Sequence, residues 1–404
     1  MKYDLIIVGS GPAGLSAGIE AAKNGLKVII LDENPFAGGK LIGQLHEEPK
    51  NGWWIGKQVA ASLYNEAKAL GVRFLYEREV WGIFPKWNVK LNKGKELHAP
   101  FILIATGAAE KAIPLPGWTL PGVMAIGAAQ VMNNYHRVQP GKKVAVVGVD
   151  PLALTVAHEM KMGGVDVVGL FLPPSNDFSG TKSEPKEMIS DLASMAHLAP
   201  NVMLKTAGKL ARYKSIRNMG AHLYPAKGVK VWDIPLVIRK NVREINGGQQ
   251  VESITVDQMD GEGNIQPNRQ QKIEVDCVCI SGGLYPVTEL TAAIGCESAY
   301  IEELGGHVPL YGEDLQTTQD GIYVAGNITG IEGAKIAMAQ GQLVGFFVSR
   351  RAGFIKDLDE KEMIKYMEKI TDARETSPIK FMRNIDRGRE KMERRWREYA
   401  LRKE

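Results

Sequence analysis

The sequence GSGPAG at residues 9–14 constrains the fold of this chain more than any other feature. An apolar run at 3–9 precedes it, and a segment with helical spacing at 12–24 follows it, so the glycines join a predicted strand to a predicted helix. In that context the first glycine permits a tight turn, the second lets a diphosphate approach the backbone, and the third lets helix and strand pack closely. The free N–H groups at the start of the helix then favour the diphosphate of a dinucleotide. The predicted diphosphate-binding residues are Gly9, Ser10, Gly11, Pro12, Ala13 and Gly14.

Two acidic residues lie at the end of the next predicted strand, which spans residues 27–32. Asp32 ends that strand, where a carboxylate can accept hydrogen bonds from ribose hydroxyls, and Glu33 is the second candidate. Small residues at three further points extend the same predicted pocket: Gly38-Gly39, Ala105-Thr106-Gly107 and Gly326-Asn327. The last two follow buried-type strands, so a bulky flat ligand has room beside them.

A second unit of the same kind begins near Lys142, with a strand at 143–148, a helix at about 151–162 and a strand at 166–172. This is an internal duplication of a mononucleotide-binding half. Its turn reads GVDPLA, so Asp150 occupies the middle-glycine position, where its side chain obstructs a diphosphate and its charge repels one. Neither an acidic residue nor an arginine ends the following strand. We therefore expect no tight NAD(P) binding in this lobe, and we expect Asp150 to cap the helix instead.

Length and composition fit two such lobes and an appendage. The 404 residues exceed one ordinary core, and 44 glycines with 44% apolar residues are typical of a soluble α/β enzyme. We predict an α/β fold with two Rossmann-like dinucleotide-binding domains and a charged helical C-terminal tail. The predicted first domain is discontinuous, at 1–115 and 286–350, the second is 116–285, and the tail is 351–404.

The second lobe and the tail carry weaker signals. Residues 173–185 are polar and predict a flexible surface loop, while strands are predicted within 219–240, 251–258 and 271–281. The tail holds the basic excess behind the formal charge of +4. Because acidic residues are interleaved, it predicts a solvated helix, with nucleic-acid or membrane-surface binding as the alternative. The apolar positions predicted to pack on the body or on a partner are Met392, Trp396, Tyr399 and Leu401.

Cysteines and histidines exclude several chemistries. The three cysteines include no CxxC pair, which argues against a dithiol and fits a reducing cytoplasm. Cys277 and Cys279 alternate along a predicted strand, a pattern that indicates core packing. The seven histidines lack metal-ligand spacing, so no metal is predicted, and His307 is the best candidate for a place near a ligand or an interface. No segment offers about 18 uninterrupted apolar residues, so no membrane span is expected.

Several motifs together resemble a known family. GSGPAG, ATGA, IPLPGWTLPGVMAIGAAQ, ELGGHVPL and GIYVAGN resemble the flavoprotein α subunits of dye-linked amino-acid dehydrogenases. That family includes the α subunits of L-proline dehydrogenase, opine dehydrogenase, hydrogen cyanide synthase and sarcosine oxidase, within the glutathione-reductase-like superfamily. The resemblance covers roughly residues 1–350 and implies FAD. The cofactor-binding residues that it implies beyond the first turn are Asp32, Gly39, Lys40, Thr106, Gly107, Gly326 and Asn327. Glu33, Val80 and Ala105 complete the predicted cofactor-binding residues.

One position departs from the family pattern. The family usually has Asp where this chain has Asn327, and an amide can still donate and accept hydrogen bonds but carries no charge. We expect retained FAD binding with altered affinity or potential.

The resemblance implies an FAD-containing subunit of a heteromeric dehydrogenase for an amino acid or amine. A companion flavoprotein would oxidise the substrate, and a small iron–sulfur or other carrier protein would accept electrons. No acid, base or nucleophile is assignable in this chain. None is required for the transfer itself, because a flavin carries the hydride or the electrons and the protein supplies position and electrostatics. Two alternatives stay open: a stand-alone NAD(P)H:acceptor reductase, and a structural subunit without turnover.

Overall fold

The computed structural model describes residues 2–48, 52–94, 96–194, 214–356, 360–377, 379–382 and 384–403. The strands are β1 (Leu5–Val8), β2 (Val28–Leu31), β3 (Leu45–Glu48), β4 (Gly52–Ile55), β5 (Arg73–Leu75), β6 (Val80–Phe84), β7 (Asn88–Leu91), β8 (Leu97–His98), β9 (Phe101–Ile104), β10 (Ala108–Glu110), β11 (Val123–Ala125), β12 (Lys143–Val147), β13 (Asp166–Leu172), β14 (Val229–Val231), β15 (Ile234–Asn246), β16 (Ser253–Met259), β17 (Ile265–Glu274), β18 (Cys277–Ile280), β19 (Leu284–Pro286), β20 (Ser298–Ile301), β21 (Gly306–Pro309) and β22 (Ile322–Val324). The helices are α1 (Pro12–Lys23), α2 (Gly56–Ala69), α3 (Ile126–Val131), α4 (Pro151–Met162), α5 (Pro185–Ser194), α6 (Lys214–Leu223), α7 (Glu289–Ala293), α8 (Ala334–Arg351), α9 (Glu360–Glu375) and α10 (Ile385–Lys403). A π-helical turn, Met132–His136, follows α3.

The chain forms two compact units. The first comprises Met1–Ile42, Ile55–Ala109 and Leu284–Glu404, and the second comprises Gly43–Trp54 and Glu110–Gly283. The tail is thus part of the first unit, and the short Gly43–Trp54 segment groups with the second.

The first unit is built on a five-stranded sheet with the order β22-β9-β1-β2-β5, in which every neighbouring pair is parallel. The central strands β1 and β2 are buried along their whole length, which explains their continuous apolar sequences LIIV and VIIL. Helix α8 packs closely on α1. A Cβ atom added to Gly341 would lie 2.1 Å from the backbone oxygen of Ala13, so the contact requires glycine there. The apolar patterns predicted these strands and α1 within one or two residues.

The second unit is built on a larger sheet with the order β11-β18-β12-β13-β15-β16-β17, and β14 pairs with β15. The strands from β11 to β15 are parallel, and β15, β16 and β17 are antiparallel. Cys277 and Cys279 lie buried on the central strand β18, with their sulfur atoms 4.0 Å apart, as their alternation predicted. Together the two units confirm the predicted α/β class with parallel sheets.

Three expectations for the second unit need correction. Residues 219–223, predicted as strand, belong to α6. The polar stretch at 173–185, predicted as a surface loop throughout, contains a 3-10 helix at Gly180–Ser183, and before it the Asn176 side chain accepts hydrogen bonds from the N–H groups of Phe178 and Ser179. Strand β17 begins earlier than predicted. It is polar and mostly exposed, so apolar alternation could not reveal it.

The tail forms α9 and α10. Met392 and Tyr399 are buried in the core of the first unit, Trp396 packs against that core, and Leu401 is 73% exposed, so three of the four predicted apolar contacts form. Pro378 and His197 lie outside the described residues. Within the described residues, no helix is both long and apolar enough to cross a membrane.

Candidate cofactor site

The first unit gathers most of its predicted site residues at one edge of its sheet. Strands β22, β9, β1 and β2 are parallel neighbours, so their carboxyl ends meet at the same edge. The residues that follow these four strands are, in that order, Ala325 to Asn327, Ala105 to Gly107, Gly9 to Gly11, and Asp32 with Glu33.

The first glycine turn has the geometry that its sequence predicts. Gly9 adopts φ +103°, and a Cβ there would lie 2.5 Å from the backbone oxygen of Ala105. A Cβ on Gly14 would lie 1.9 Å from the oxygen of Gly9. Gly11 is different: it is the N-cap of α1, no side chain caps the helix, and a Cβ there would meet nothing within 4 Å. The uncapped N–H groups of α1 thus face open space, which fits a diphosphate.

The Asp32 side chain is hydrogen-bonded to this turn. The carboxylate is 8% exposed, and its Oδ2 accepts hydrogen bonds from the N–H and the hydroxyl of Ser10 at 2.7 and 2.5 Å. Its Oδ1 accepts from the backbone and side-chain nitrogens of Asn34 at 2.9 and 3.0 Å. These four donors occupy the four acceptor positions of a carboxylate. Asp32 therefore positions the turn, whereas the neighbouring Glu33 is exposed and available to a ribose.

The segment after β2 returns to the turn. Gly38 donates its N–H to the backbone oxygen of Ser10 at 2.9 Å. Gly39 adopts φ +51°, and a Cβ atom added there would lie 3.3 Å from the Cα of Gly11. Lys40 follows in a 3-10 helix and is exposed. Val80 begins β6 and packs half-buried against the core of the first unit.

The strand end after β9 leaves space for a ligand. Thr106 donates its hydroxyl to the oxygen of Val287 at 2.8 Å, which fixes its side chain. Gly107 adopts φ +75°, and a Cβ there would meet nothing within 4 Å.

The strand end after β22 is held by residues that sequence patterns did not single out. Gly326 adopts φ +81° and donates its N–H to the side-chain oxygen of Gln340 at 2.7 Å. Asn327 accepts from the N–H of Glu332 through Oδ1 at 3.1 Å. The Glu332 carboxylate in turn pairs with Arg389 of α10. Gln340 was detectable only as a polar residue within a largely apolar helix.

The second glycine turn repeats the backbone of the first and differs at the cap. Gly148 adopts φ +118°, and a Cβ there would lie 2.2 Å from the oxygen of Ser281. Asp150 caps α4, since its Oδ1 accepts from the N–H of Ala153 at 2.8 Å, which confirms the capping prediction. Its Oδ2 accepts from the Ser281 hydroxyl at 2.7 Å. The carboxylate thus occupies the helix terminus that a diphosphate would need.

His307 and the possible metal ligands are the remaining sequence candidates. His307 lies exposed on β21, 5.2 Å from the ring of Tyr300. Among the described residues, no group of three or more His, Cys, Asp or Glu side chains could hold a metal ion.

An uncapped glycine turn, flanked by the small-residue ends of neighbouring parallel strands, defines a dinucleotide-binding protein with a duplicated α/β unit. The family model described as pyridine nucleotide-disulphide oxidoreductase matches residues 3–341. The chain belongs to this family, whose members bind FAD, and FAD is its cofactor. It is thus an oxidoreductase-type flavoprotein.

Similar proteins agree with the predicted resemblance. The A subunit of opine oxidase from Agrobacterium tumefaciens (strain Ach5) is 28% identical over 84% of this chain and 64% of the relative. The HcnB subunit of hydrogen cyanide synthase from Pseudomonas aeruginosa is 24% identical over 86% of this chain and 71% of the relative. The alpha subunit of sarcosine oxidase from Corynebacterium sp. (strain U-96) is 23% identical over 93% of this chain and 35% of the relative. The chain therefore spans a little under two thirds of that opine oxidase polypeptide.

Solved structures show the same fold. L-proline dehydrogenase from P. horikoshii has a TM-score of 0.65 at 20% identity, over 92% of this chain and 59% of that one. Thioredoxin reductase from T. acidophilum has a TM-score of 0.61 at 21% identity, over 87% of this chain and 99% of that one. The glutathione-reductase-like architecture that the resemblance implied is confirmed.

Proposed function

We propose that this chain is the FAD-containing, electron-transferring α-type subunit of a heteromeric dehydrogenase for an amino acid or related amine. The observation that carries the proposal is the difference between the two turns. The first turn is open to a diphosphate, whereas the Asp150 carboxylate caps the second. A flavoprotein whose nicotinamide-type turn is closed must receive its electrons from another source. Relatives named as subunits of opine oxidase, hydrogen cyanide synthase and sarcosine oxidase support a partner protein as that source.

The chain's own residues bind and orient the cofactor. FAD, when bound, supplies the hydride or electron transfer itself. We assign the diphosphate to the N–H groups that open α1, and the adenosine ribose to Glu33, with Asp32 holding the turn in shape. The other residues assigned to FAD are Gly39, Lys40, Val80, Ala105, Thr106, Gly107, Gly326 and Asn327.

The proposed partners are a companion flavoprotein that oxidises the substrate and a small iron–sulfur or other electron-carrier protein. The three cysteines of this chain are all buried and free, so they offer no ligand set for a cluster of its own. Free cysteines also fit a reducing cytoplasm. The buried face of α10 is used by the chain itself, through Met392 and Tyr399, so a partner would meet its outward face.

The test is anaerobic reduction of the purified holoprotein, monitored by the loss of the flavin absorbance band at about 450 nm. We expect no rapid reduction by micromolar NADH or NADPH. We expect full reduction when an amino acid or amine substrate is added to the complex that co-purifies from the native source. Rapid reduction by NADPH would instead support a stand-alone reductase, and a protein that takes up no FAD would support a structural role.

A further inference from the structure

The second unit contains a cavity of about 340 Å³ at the far end of α4 from the capped turn. Its lining includes Glu159, Asn133, Arg137, Trp53 and Met162. Glu159 lies nine residues beyond Asp150 on the same helix, or ~14 Å along its axis. The cavity is therefore separate from the capped turn.

Glu159 presents a buried carboxyl group to this cavity. It is 2% exposed, and its Oε2 accepts from the side-chain amides of Asn134 at 2.7 Å and Gln130 at 3.0 Å. The backbone N–H of Leu45 donates to the same carboxylate. Three of the four acceptor positions are thus used. The Gln130 amide nitrogen also lies 3.4 Å from Oε1, which is too long for a strong hydrogen bond, so the fourth acceptor position is open to a donor from a ligand.

Two further features of the cavity favour a positive group near Glu159. The Asn133 amide nitrogen donates to Asn134 at 2.8 Å and to the backbone oxygen of Glu159 at 3.1 Å, which leaves its Oδ1 as an acceptor. Helix α4 ends against the cavity at Gly163, and a helix C-terminus carries partial negative charge.

Arg137 brings the opposite charge to the same cavity. It ends the π-helical turn in the left-handed region, at φ 60° and ψ 36°. Its side chain is exposed and forms no hydrogen bond or ion pair with any other residue that the structure describes. Non-glycine residues in this conformation and π-helical turns both concentrate at functional sites.

We propose that this cavity binds a small zwitterion, an α-amino acid, with its ammonium group on Glu159 and Asn133 and its carboxylate on Arg137. The apolar side chain would lie against Leu45, Trp53 and Met162. Trp53 and Met162 are 52% and 46% exposed, so they offer apolar surface to a ligand. The volume is at the small end of known ligand pockets, roughly 300–1,000 Å³. A ligand without the ammonium group would not contact Glu159 through a donor, and a ligand without the carboxylate would leave Arg137 without a counter-ion.

The protonation state of Glu159 gives the binding a specific signature. Burial raises the pKa of this carboxyl group to about 8, and its amide donors oppose that shift. At pH 7 the group is therefore mostly neutral in the free protein, and an ammonium group favours its ionised form, so binding releases a proton. Affinity should rise between pH 6 and pH 8. The other titratable or charged groups at this end of α4 and on the segments packed against it are His158 and Lys161 of α4, Tyr135, His136 and Arg137 of the π-helical turn, and His46, Glu47 and Glu48 of β3.

This inference does not depend on the proposed electron-transfer role, because every residue of the cavity lies in the second unit. The experiment is isothermal titration calorimetry of the full-length, FAD-loaded protein with glycine, L-alanine, L-leucine and L-phenylalanine. The titration is repeated in two buffers with different enthalpies of ionisation. The difference between the two observed binding enthalpies gives the number of protons released. Two analogues of leucine complete the set: 4-methylpentanoate lacks the ammonium group, and 3-methylbutylamine lacks the carboxylate.

We expect at least one amino acid to bind with release of a proton, and both leucine analogues to bind at least tenfold more weakly than leucine. Glu159→Gln should weaken binding at least tenfold and abolish proton release. Arg137→Gln should weaken binding similarly, with unchanged flavin content and Tm, since its side chain is exposed. Lys161→Gln removes a charge from the same helix outside the cavity lining and should leave affinity unchanged.

The inference is overturned if none of the four amino acids gives a binding signal at 20 mM, or if the analogues bind as well as leucine. Binding that is unaffected by Arg137→Gln would also overturn it. This last result is readable even if the Glu159 variant does not fold. Because flavin content is measured separately, loss of amino-acid binding does not coincide with failure of the FAD assignment.

Discussion

The two glycine turns of this chain share a backbone and differ at one side chain. Each follows a buried strand, begins with a glycine at φ above +100°, and opens a helix of 12 residues with proline at its first position. At the N-cap, the first turn has Gly11 and the second has Asp150. The comparison teaches that the fold of a βαβ unit and its ligand are encoded separately. The first glycine is needed for the turn, and the N-cap residue decides what meets the helix terminus.

The physical reason lies in the first N–H groups of a helix, which have no partner within the helix. In the second unit the Asp150 carboxylate satisfies one of them, and the Ser281 hydroxyl binds its other oxygen. In the first unit no side chain does so, and we assign that task to the FAD diphosphate. Four predictions test this contrast.

The largest effect is expected from Gly11→Asp, which copies the second turn into the first. The backbone at Gly11, φ −71° and ψ −175°, is open to any residue, and the space beside it is empty, so the variant should fold. Its carboxylate should cap α1 and repel the diphosphate. We expect FAD affinity to fall at least about 1,000-fold, or about 4 kcal/mol. Flavin content and a fluorescence titration of the apoprotein measure it.

Gly11→Asn is the matched control, because it adds the same bulk and the same capping ability without charge. It should weaken FAD binding less than Gly11→Asp does. Normal flavin content in the Asp variant would show that the N-cap position does not decide ligand binding.

The next largest effect is expected from Asp32→Asn. All four acceptor positions of Asp32 are filled by donors from Ser10 and Asn34. In an asparagine, the NH₂ group would replace one of the two oxygens and would face two donors that then have no acceptor. A buried donor left without an acceptor costs about 1–3 kcal/mol. We expect FAD affinity to fall about 30-fold, with a lower Tm for the apoprotein.

Glu33→Gln is the comparison for Asp32→Asn. Its side chain is exposed, so the variant should keep the apoprotein Tm and weaken FAD binding only about threefold to tenfold, through the ribose alone. If Glu33→Gln weakens binding more than Asp32→Asn, then Asp32 is not the residue that shapes the turn.

Sequence patterns predicted the parts of this molecule that depend on local rules. An uninterrupted apolar run located β1, and apolar residues at helical spacing located α1 and α4. The aspartate in the turn before α4 predicted that Asp150 caps this helix, as observed. What patterns could not show were partners distant in sequence. The Ser10–Asp32 and Gly326–Gln340 hydrogen bonds depend on how strands are ordered in the sheet. Residues 219–223, the last five of the amphipathic helix α6, were predicted as strand because a short apolar run fits either period.

A smaller effect is expected from Asp150→Ala, which removes the cap of α4. Loss of a capping carboxylate costs about 0.5–2 kcal/mol, and the Ser281 hydroxyl loses its acceptor as well. We expect the free energy of unfolding to fall by about 1–2 kcal/mol in a urea titration. Asp150→Asn keeps a capping oxygen and should stay within about 0.5 kcal/mol of the wild type. Neither variant should gain reduction by NADH or NADPH, because β13 ends in neither an acidic residue for a ribose nor an arginine for a 2′-phosphate. A gain in Asp150→Ala would mean that the cap alone prevents a dinucleotide from binding at this turn.

The smallest effect is expected from Asn327→Asp, which restores the residue usual in the resembling family. The Asn327 side chain uses its oxygen to accept from the N–H of Glu332, and an aspartate can accept from the same donor. The exchange therefore changes charge but not the local fold. We expect the FAD dissociation constant to change by less than about threefold, or about 0.6 kcal/mol, with the Tm unchanged. Fluorescence titration of Asn327→Asp beside Gly11→Asp makes the comparison direct. If the change at Asn327 is as large as the change at Gly11, FAD affinity is set by the whole sheet edge and the contrast between the two turns does not explain it.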